Sequence, residues 1–173
     1  TTDKKKNPYK VALKNTEKIG VIGAGFMGEG ITEVSINSGM DVILKDLDDK
    51  IIHQARKNIW KNLSRKVKRR QMSKVLAKTT AQRAIGQLDY KGFDKVDVVV
   101  EAIVENMSVK KKLIKELEGI CNEDFIFASN TSSLPLTEMS EDAKKPENVV
   151  GMHYFSPVTK MPLLEIIKTS KTS

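Results

Sequence analysis

A single cysteine, Cys121, stands in 173 residues, so no disulfide can close within the chain. One cysteine with two histidines also supplies no ordinary zinc site, and no metal centre is expected. A reducing compartment is the natural setting. Aromatic residues make up only 5% and do not interleave with the basic runs, which argues against a stacking platform for single-stranded nucleic acid. No apolar run approaches the length of a membrane span. The opening Thr1-Thr2-Asp3-Lys4-Lys5-Lys6 has no apolar core of a secretory signal. Internal repeats and low-complexity tracts are missing too. What is present, at 39% hydrophobic, suits one soluble domain with a real core.

Charge is abundant but one-sided: 30 Lys and Arg against 22 Asp and Glu give +8. Much of the excess sits in Arg65-Lys66-Val67-Lys68-Arg69-Arg70 and Lys110-Lys111-Lys112, both in segments with helical spacing. Two readings stand: solvated helix faces, or a surface for an anionic ligand. A phosphate-bearing small molecule fits the second better than nucleic acid does.

Hydrophobic periodicity alternates between strand and helix. Residues Thr1 to Glu17 are polar and lysine-rich and read as an arm or linker. Lys18 to Ile22 reads as a buried strand, Phe26 to Ser38 as a helix closed by Gly39, and Asp41 to Asp46 as a second strand. A long helix is expected from Asp48 to about Arg70 and a short one over Ser73 to Thr79. Strands follow at Ala84–Leu88, Asp97–Ala102, Phe125–Ser129, Asn148–His153 and Leu163–Ile167, with helix over Ser108–Cys121 and again after Pro135. The pattern predicts a doubly wound α/β sheet, mostly parallel. Tyr154 to Pro162 is too short for a helical crossover, so the last two strands pair antiparallel if they are neighbours.

The chemistry gathers at strand ends. Gly23-Ala24-Gly25-Phe26-Met27-Gly28 has the spacing G-x-G-x-x-G between a strand and a helix. Alone, such a run is either a dinucleotide-binding turn or simply a tightly packed one. Asp46, about 18 residues past the third glycine and ending the second strand, tips the reading to a dinucleotide. A carboxylate there accepts from ribose hydroxyls and repels a 2′-phosphate, which favours NAD over NADP. Strand alternation turns the adjacent Lys45 to the opposite side. Ser129-Asn130-Thr131-Ser132-Ser133 is either a helix cap or a ligand loop, and Ala102-Ile103-Val104-Glu105-Asn106, leading to Lys110, faces the same crevice. His153 is either a satisfied structural histidine or a base. Antiparallel pairing of the last strands sets Glu165 beside it, as a carboxylate that orients an imidazole would be. His53 looks like a surface residue.

At these blocks the chain resembles the NAD-binding domain of the 3-hydroxyacyl-CoA dehydrogenases, over Lys18 to Thr172. The likeness lies in Gly23 to Gly28, Val100-Glu101-Ala102-Ile103-Val104-Glu105-Asn106, Ala128-Ser129-Asn130-Thr131-Ser132-Ser133-Leu134 and Gly151-Met152-His153-Tyr154-Phe155-Ser156-Pro157-Val158. Gly86-Gln87-Leu88-Asp89-Tyr90-Lys91-Gly92-Phe93 and Lys160-Met161-Pro162-Leu163-Leu164-Glu165 look like the multifunctional β-oxidation members. The resemblance implies a Rossmann-type fold, NAD as cofactor and oxidation of an (S)-3-hydroxyacyl-CoA. It implies His153 as the base, Glu165 as its partner and Ser132 as the group that holds the substrate oxygen. It implies NAD contacts from Gly23, Gly25, Phe26, Met27, Gly28, Asp46, Ile103, Val104, Glu105, Lys110, Asn130, Ser132 and Ser156. Ser156 stands where relatives usually carry Asn. Asn62, Lys68 and Arg69 align with the region that meets coenzyme A.

The family also has a helical C-terminal domain, and its multifunctional members an upstream enoyl-CoA hydratase domain; neither is in this sequence. The chain therefore reads as a domain of a larger protein, with weak or no turnover by itself. Membrane association is expected only of the full complex. The compartment expected is the mitochondrial matrix in a eukaryote and the cytoplasm otherwise. A related β-hydroxyacid or sugar-acid dehydrogenase and a non-catalytic NAD-binding scaffold are the alternatives.

Overall fold

A computed structural model describes residues 16–172. The proposed linker, Thr1 to Glu17, lies almost wholly outside the described residues. Its last residue belongs to the fold, since the Asp41 N–H donates to the Glu17 carbonyl at 2.8 Å.

Seven strands form one sheet in the order β3-β2-β1-β4-β5-β6-β7. They are β1 (Lys18–Ile22), β2 (Asp41–Lys45), β3 (Ala84–Gln87), β4 (Val98–Glu101), β5 (Ile126–Ser129), β6 (Val149–Tyr154) and β7 (Leu164–Ile167). The first six are parallel, and only β7 runs antiparallel, against β6. Helices α1 (Phe26–Asn37), α2 (Asp49–Lys68), α3 (Lys74–Gln82), α4 (Met107–Leu117) and α5 (Leu136–Met139) make the crossovers.

Alternation along each strand divides the core into two layers. Val21, Leu44, Val100 and Ala128 pack on the side that also holds Ile31 of α1 and Ile52, Ile59 and Leu63 of α2. Their neighbours Ile22, Ile43, Val99 and Phe127 face the other side, with Leu113, Ile114 and Leu117 of α4 and Met139 of α5. The sheet is therefore covered on both faces, as a parallel sheet must be.

Three of the helices start at side-chain caps. Asp48 accepts from the Lys50 N–H, Ser73 from Leu76 and Asn106 from Val109. Helix α2 ends two residues short of Arg70, whose φ of 59° is left-handed and turns the chain out of the helix. Helix α3 runs three residues beyond Thr79, and α4 starts one residue earlier and ends four earlier than the periodicity predicted. The α4 difference has a local cause: Asn106 is the cap, which makes Met107 the first helical residue.

Candidate functional site

The carboxyl ends of β1, β4 and β5 lie level, with Ile22 opposite Glu101 and Glu101 opposite Ser129. This edge carries the glycine turn, the loop after β4 and the serine-rich loop after β5, and β6 brings His153 beside them. Open α/β sheets bind ligands in the crevice outside such ends, where the strand order reverses between β1 and β4.

The glycine turn is held by contacts of the chain itself at two of its three positions. Gly23 has φ +96°, and a Cβ on it would lie 2.5 Å from the Ala102 carbonyl oxygen. A Cβ on Gly28 would lie 1.7 Å from the Gly23 carbonyl oxygen, so only glycine lets α1 start this close to β1. At Gly25 an added Cβ would meet nothing within 4 Å. Its glycine is therefore not needed for packing, and a side chain there would fill the crevice. Helix α1 has no side-chain cap, unlike α2, α3 and α4, so its first N–H groups are open to an anion. These features fit a dinucleotide whose pyrophosphate approaches Gly25 and the start of α1.

Asp46 lies just past β2 and is fixed by three backbone donors. Ala24 N–H donates to its Oδ2 at 2.7 Å, and Leu47 and Asp48 donate to its Oδ1 at 2.7 and 3.2 Å. It borders a crevice of about 610 Å³ that also takes in Gly25, Tyr90, Ile103, Val104 and Lys112. Lys45 departs from the expectation in one respect. Alternation does set it on the Ile43 side, but the crevice extends over that side and Lys45 borders it as well. Its ammonium is held 4.5 Å over the Tyr90 ring. Burial first and Glu116 second push the Tyr90 hydroxyl up from its ordinary range.

A second recess of about 280 Å³ continues past Met27 and Ile103 to Glu105, Asn130 and Ser132. Phe26, the first residue of α1, is 67% exposed. The Asn130 side chain is turned to the backbone and accepts from Tyr154 N–H at 2.9 Å.

Beyond Ser132 stands His153. The β6–β7 register sets His153 directly opposite Glu165. His153 Nδ1 lies 3.0 Å from Glu165 Oε2, and Nε2 lies 3.4 Å from Ser132 Oγ. With Nδ1–H donating to the carboxylate, the lone pair is on Nε2, on the Ser132 side. The Phe155 ring packs on the imidazole, with centroids 4.6 Å apart.

Beneath this surface lies a buried ionic network. Glu101 is 0% exposed and Lys110 is 1% exposed. The Lys110 ammonium is 2.7 and 2.8 Å from the two Glu101 oxygens and 3.1 Å from Glu105 Oε2. All three of its donors are engaged, so Lys110 faces inward rather than offering its charge to a ligand. Glu105 Oε1 accepts from the Thr131 hydroxyl and from Ser132 N–H. Partial burial raises the Glu105 carboxyl, but the Thr131 hydroxyl, the Lys110 ammonium and the Ser132 N–H outweigh it and hold it at about 2.

Sequence reasoning missed Glu101, Ser129 and Thr131 as members of this network. The signal was available: a glutamate after three valines in a strand covered on both faces needs a partner.

The remaining expected residues lie elsewhere. Ser156 is exposed. Asn62 donates to Glu33 Oε2 at 2.7 Å and, with the parallel Asn58–Glu29 bond, ties α2 to α1. Lys68 and Arg69 are exposed at the end of α2. His53 is exposed on α2, 3.1 Å from Asp49. Burial first and Asp94 second push the Cys121 thiol up to about 12, so it is no nucleophile at neutral pH. A further cavity of about 330 Å³ lies between the end of α4 and the starts of β5 and β6, and its lining includes none of the glycine turn, Asp46, Ser132 or His153.

A glycine turn with a ribose-side carboxylate, leading along a sheet edge to a carboxylate-bound histidine, defines a nucleotide-dependent dehydrogenase domain. The family described as "3-hydroxyacyl-CoA dehydrogenase, NAD binding domain" matches residues 18–173, and the chain belongs to it. NAD is accordingly its cofactor. The chain is 42% identical, over its whole length, to the fatty acid oxidation complex subunit alpha of Idiomarina loihiensis. It spans 25% of that protein. Among solved structures it is similar to 3-hydroxybutyryl-CoA dehydrogenase from Escherichia coli, with TM-score 0.89 and 32% identity over 92% of this chain and 34% of that one. The dehydrogenase part of multifunctional enzyme 1 from C. elegans gives TM-score 0.80 and 28% identity over 92% of this chain and 36% of that one.

Proposed function

We propose that the chain is the cofactor-binding part of an enzyme that oxidises an (S)-3-hydroxyacyl-CoA to the 3-ketoacyl-CoA in fatty acid β-oxidation. The observation that carries this is His153, held between Glu165 and Ser132 where the cofactor crevice ends. NAD+ supplies the hydride acceptor. Nε2 of His153 takes the proton of the 3-hydroxyl as hydride leaves C3, and Glu165 stabilises the imidazolium that results. Ser132 Oγ, on the Nε2 side, positions the substrate oxygen.

In this reading Gly23, Gly25, Phe26, Met27 and Gly28 receive the pyrophosphate, and Asp46 the ribose hydroxyls. Ile103, Val104, Glu105, Asn130 and Ser132 border the nicotinamide half, with Lys110 fixing Glu105 from below, and Ser156, exposed just past β6, is assigned to the same half. Asn62, Lys68 and Arg69 lie toward the coenzyme A moiety.

Residues of β7 and its approach support a further, helical C-terminal domain in the full protein. Met161, Leu163, Leu164, Ile166 and Ile167 are between 37% and 55% exposed on one edge, an apolar surface of the kind that a neighbouring domain covers. An upstream hydratase domain and association of the whole complex with a membrane belong to the same proposal. The compartment follows the host: the mitochondrial matrix in a eukaryote, the cytoplasm in a bacterium.

The test is turnover of acetoacetyl-CoA and NADH by the full-length protein and by its His153→Gln variant. Loss of about 10²-fold or more in kcat, with NADH affinity kept, is expected for a general base. Unchanged turnover would favour a binding module in which His153 is structural.

A further inference from the structure

The geometry points to Glu101 and Lys110 as positioning residues of this site, acting on Ser132 and His153 through Glu105. The inference rests on the function proposed above and adds residues that touch neither the cofactor crevice's ribose side nor the imidazole.

Glu101 accepts four hydrogen bonds, which saturates its two oxygens. Two come from Lys110, one from Ile103 N–H at 2.8 Å and one from Ser129 Oγ at 2.6 Å. Those donors come from three segments: the loop after β4, helix α4 and the end of β5. Lys110 uses its remaining donor on Glu105 Oε2. The other Glu105 oxygen takes the Thr131 hydroxyl and, at 3.1 Å, the Ser132 N–H. Ser129 Oγ also accepts from Thr131 N–H at 3.3 Å, so the serine-rich loop is gripped from two sides. Fixing the Ser132 backbone fixes where its Oγ sits, 3.4 Å from His153 Nε2.

Stability alone does not account for such a pair. Two buried charges are commonly replaced by apolar side chains of similar size at no net loss of stability, whereas removing one strands the other. An apolar pair would fill the space but could neither accept from Ile103 and Ser129 nor reach Glu105. What the ions add is the placement of Glu105 and, through it, of Ser132.

That distinction sets the experiment. The paired variant Glu101→Met/Lys110→Met removes both charges together. In the full-length protein it is expected to stay folded at a somewhat lower melting temperature, since the Ile103 N–H and the Ser129 hydroxyl lose their acceptor. It is expected to keep NADH affinity while kcat falls about tenfold, because a misplaced positioning group costs rate rather than cofactor binding. A fall of less than about fivefold, or one matched by an equal weakening of NADH, overturns the inference. Should the paired variant not fold, Thr131→Val and Thr131→Ser decide. Valine lowering kcat about fivefold with serine restoring it supports the inference, and equal rates overturn it. An active parent with indifferent variants defeats the positioning role alone, whereas a parent that binds NADH but turns over no 3-hydroxyacyl-CoA defeats the proposed function as well.

Discussion

Glu105 offers the most direct measurement of the network, because its charge state is coupled to folding. Its carboxyl lies at about 2 instead of the ordinary 4.5. At about 1.4 kcal/mol per pH unit the difference corresponds to about 3 kcal/mol at neutral pH. The side chain is 40% exposed, so solvent screening reduces this to about 1.5 kcal/mol. The sign follows from proton counting. Between pH 4.5 and 2 the unfolded chain has bound a proton at Glu105 and the folded chain has not, so stability falls as pH falls through that window. Above about pH 5 both states are ionised and the contribution is complete. Glu105→Gln removes the titration. Other carboxylates titrate in parent and variant alike, so the difference between their urea unfolding free energies isolates this one. That difference is expected to be constant from pH 7 to about pH 5 and to shrink by about 1.5 kcal/mol towards pH 2. A difference flat to within about 0.5 kcal/mol over the whole range would refute the claim that Lys110, Thr131 and Ser132 hold the carboxylate ionised.

Two glycines are expected to separate folding from binding. Gly28→Ala places a Cβ 1.7 Å from the Gly23 carbonyl oxygen and should destabilise the fold by about 1–3 kcal/mol as α1 is pushed off β1, read by thermal denaturation. Gly25→Ala meets nothing within 4 Å and should leave stability within about 0.5 kcal/mol, yet weaken NADH about tenfold or more in calorimetry because its methyl enters the crevice. At the other end of the site, Glu165→Gln keeps a hydrogen-bonding group 3.0 Å from His153 but loses the charge that stabilises imidazolium. Turnover of the full-length protein is expected to fall about tenfold to a hundredfold, with NADH affinity unchanged.

Much of the architecture was legible because it rests on short-range constraints. Three glycines at fixed spacing require a turn, and a connection as short as Tyr154 to Pro162 excludes a helical crossover, which is why the antiparallel β6–β7 pair and the His153–Glu165 register could be read in advance. Less legible was where long charged side chains go. Lys110 lies in a run of three lysines, and periodicity sets its position on α4 without saying that its stem turns inward to a carboxylate nine residues earlier in the chain. Asn62 belongs to a basic helix, yet its amide is used by Glu33 of α1. Lys45 obeys alternation, but alternation does not say how far a crevice extends over a strand end. In each case the missing information is a partner distant in sequence.

The placement of charge bears on how the two substrates would respond to salt. Four charged residues border the ribose-side crevice, and they balance: Asp46 and Glu116 against Lys45 and Lys112. In the adjoining recess Lys110 is already neutralised by Glu101 and Glu105. The net charge of +8 is therefore not concentrated at the cofactor, whose pyrophosphate would meet backbone N–H groups at the start of α1. Backbone donors are fixed dipoles at contact distance and are screened weakly, unlike exposed side chains such as Lys68 and Arg69. NADH affinity is accordingly expected to change by less than about threefold between about 0.05 and 0.5 M NaCl, while the KM of the full-length protein for an acyl-CoA, with its several phosphate charges, rises about tenfold. Equal salt sensitivity of the two would mean that the basic end of α2 does not serve coenzyme A, and would return its lysines and arginines to the role of a solvated helix face.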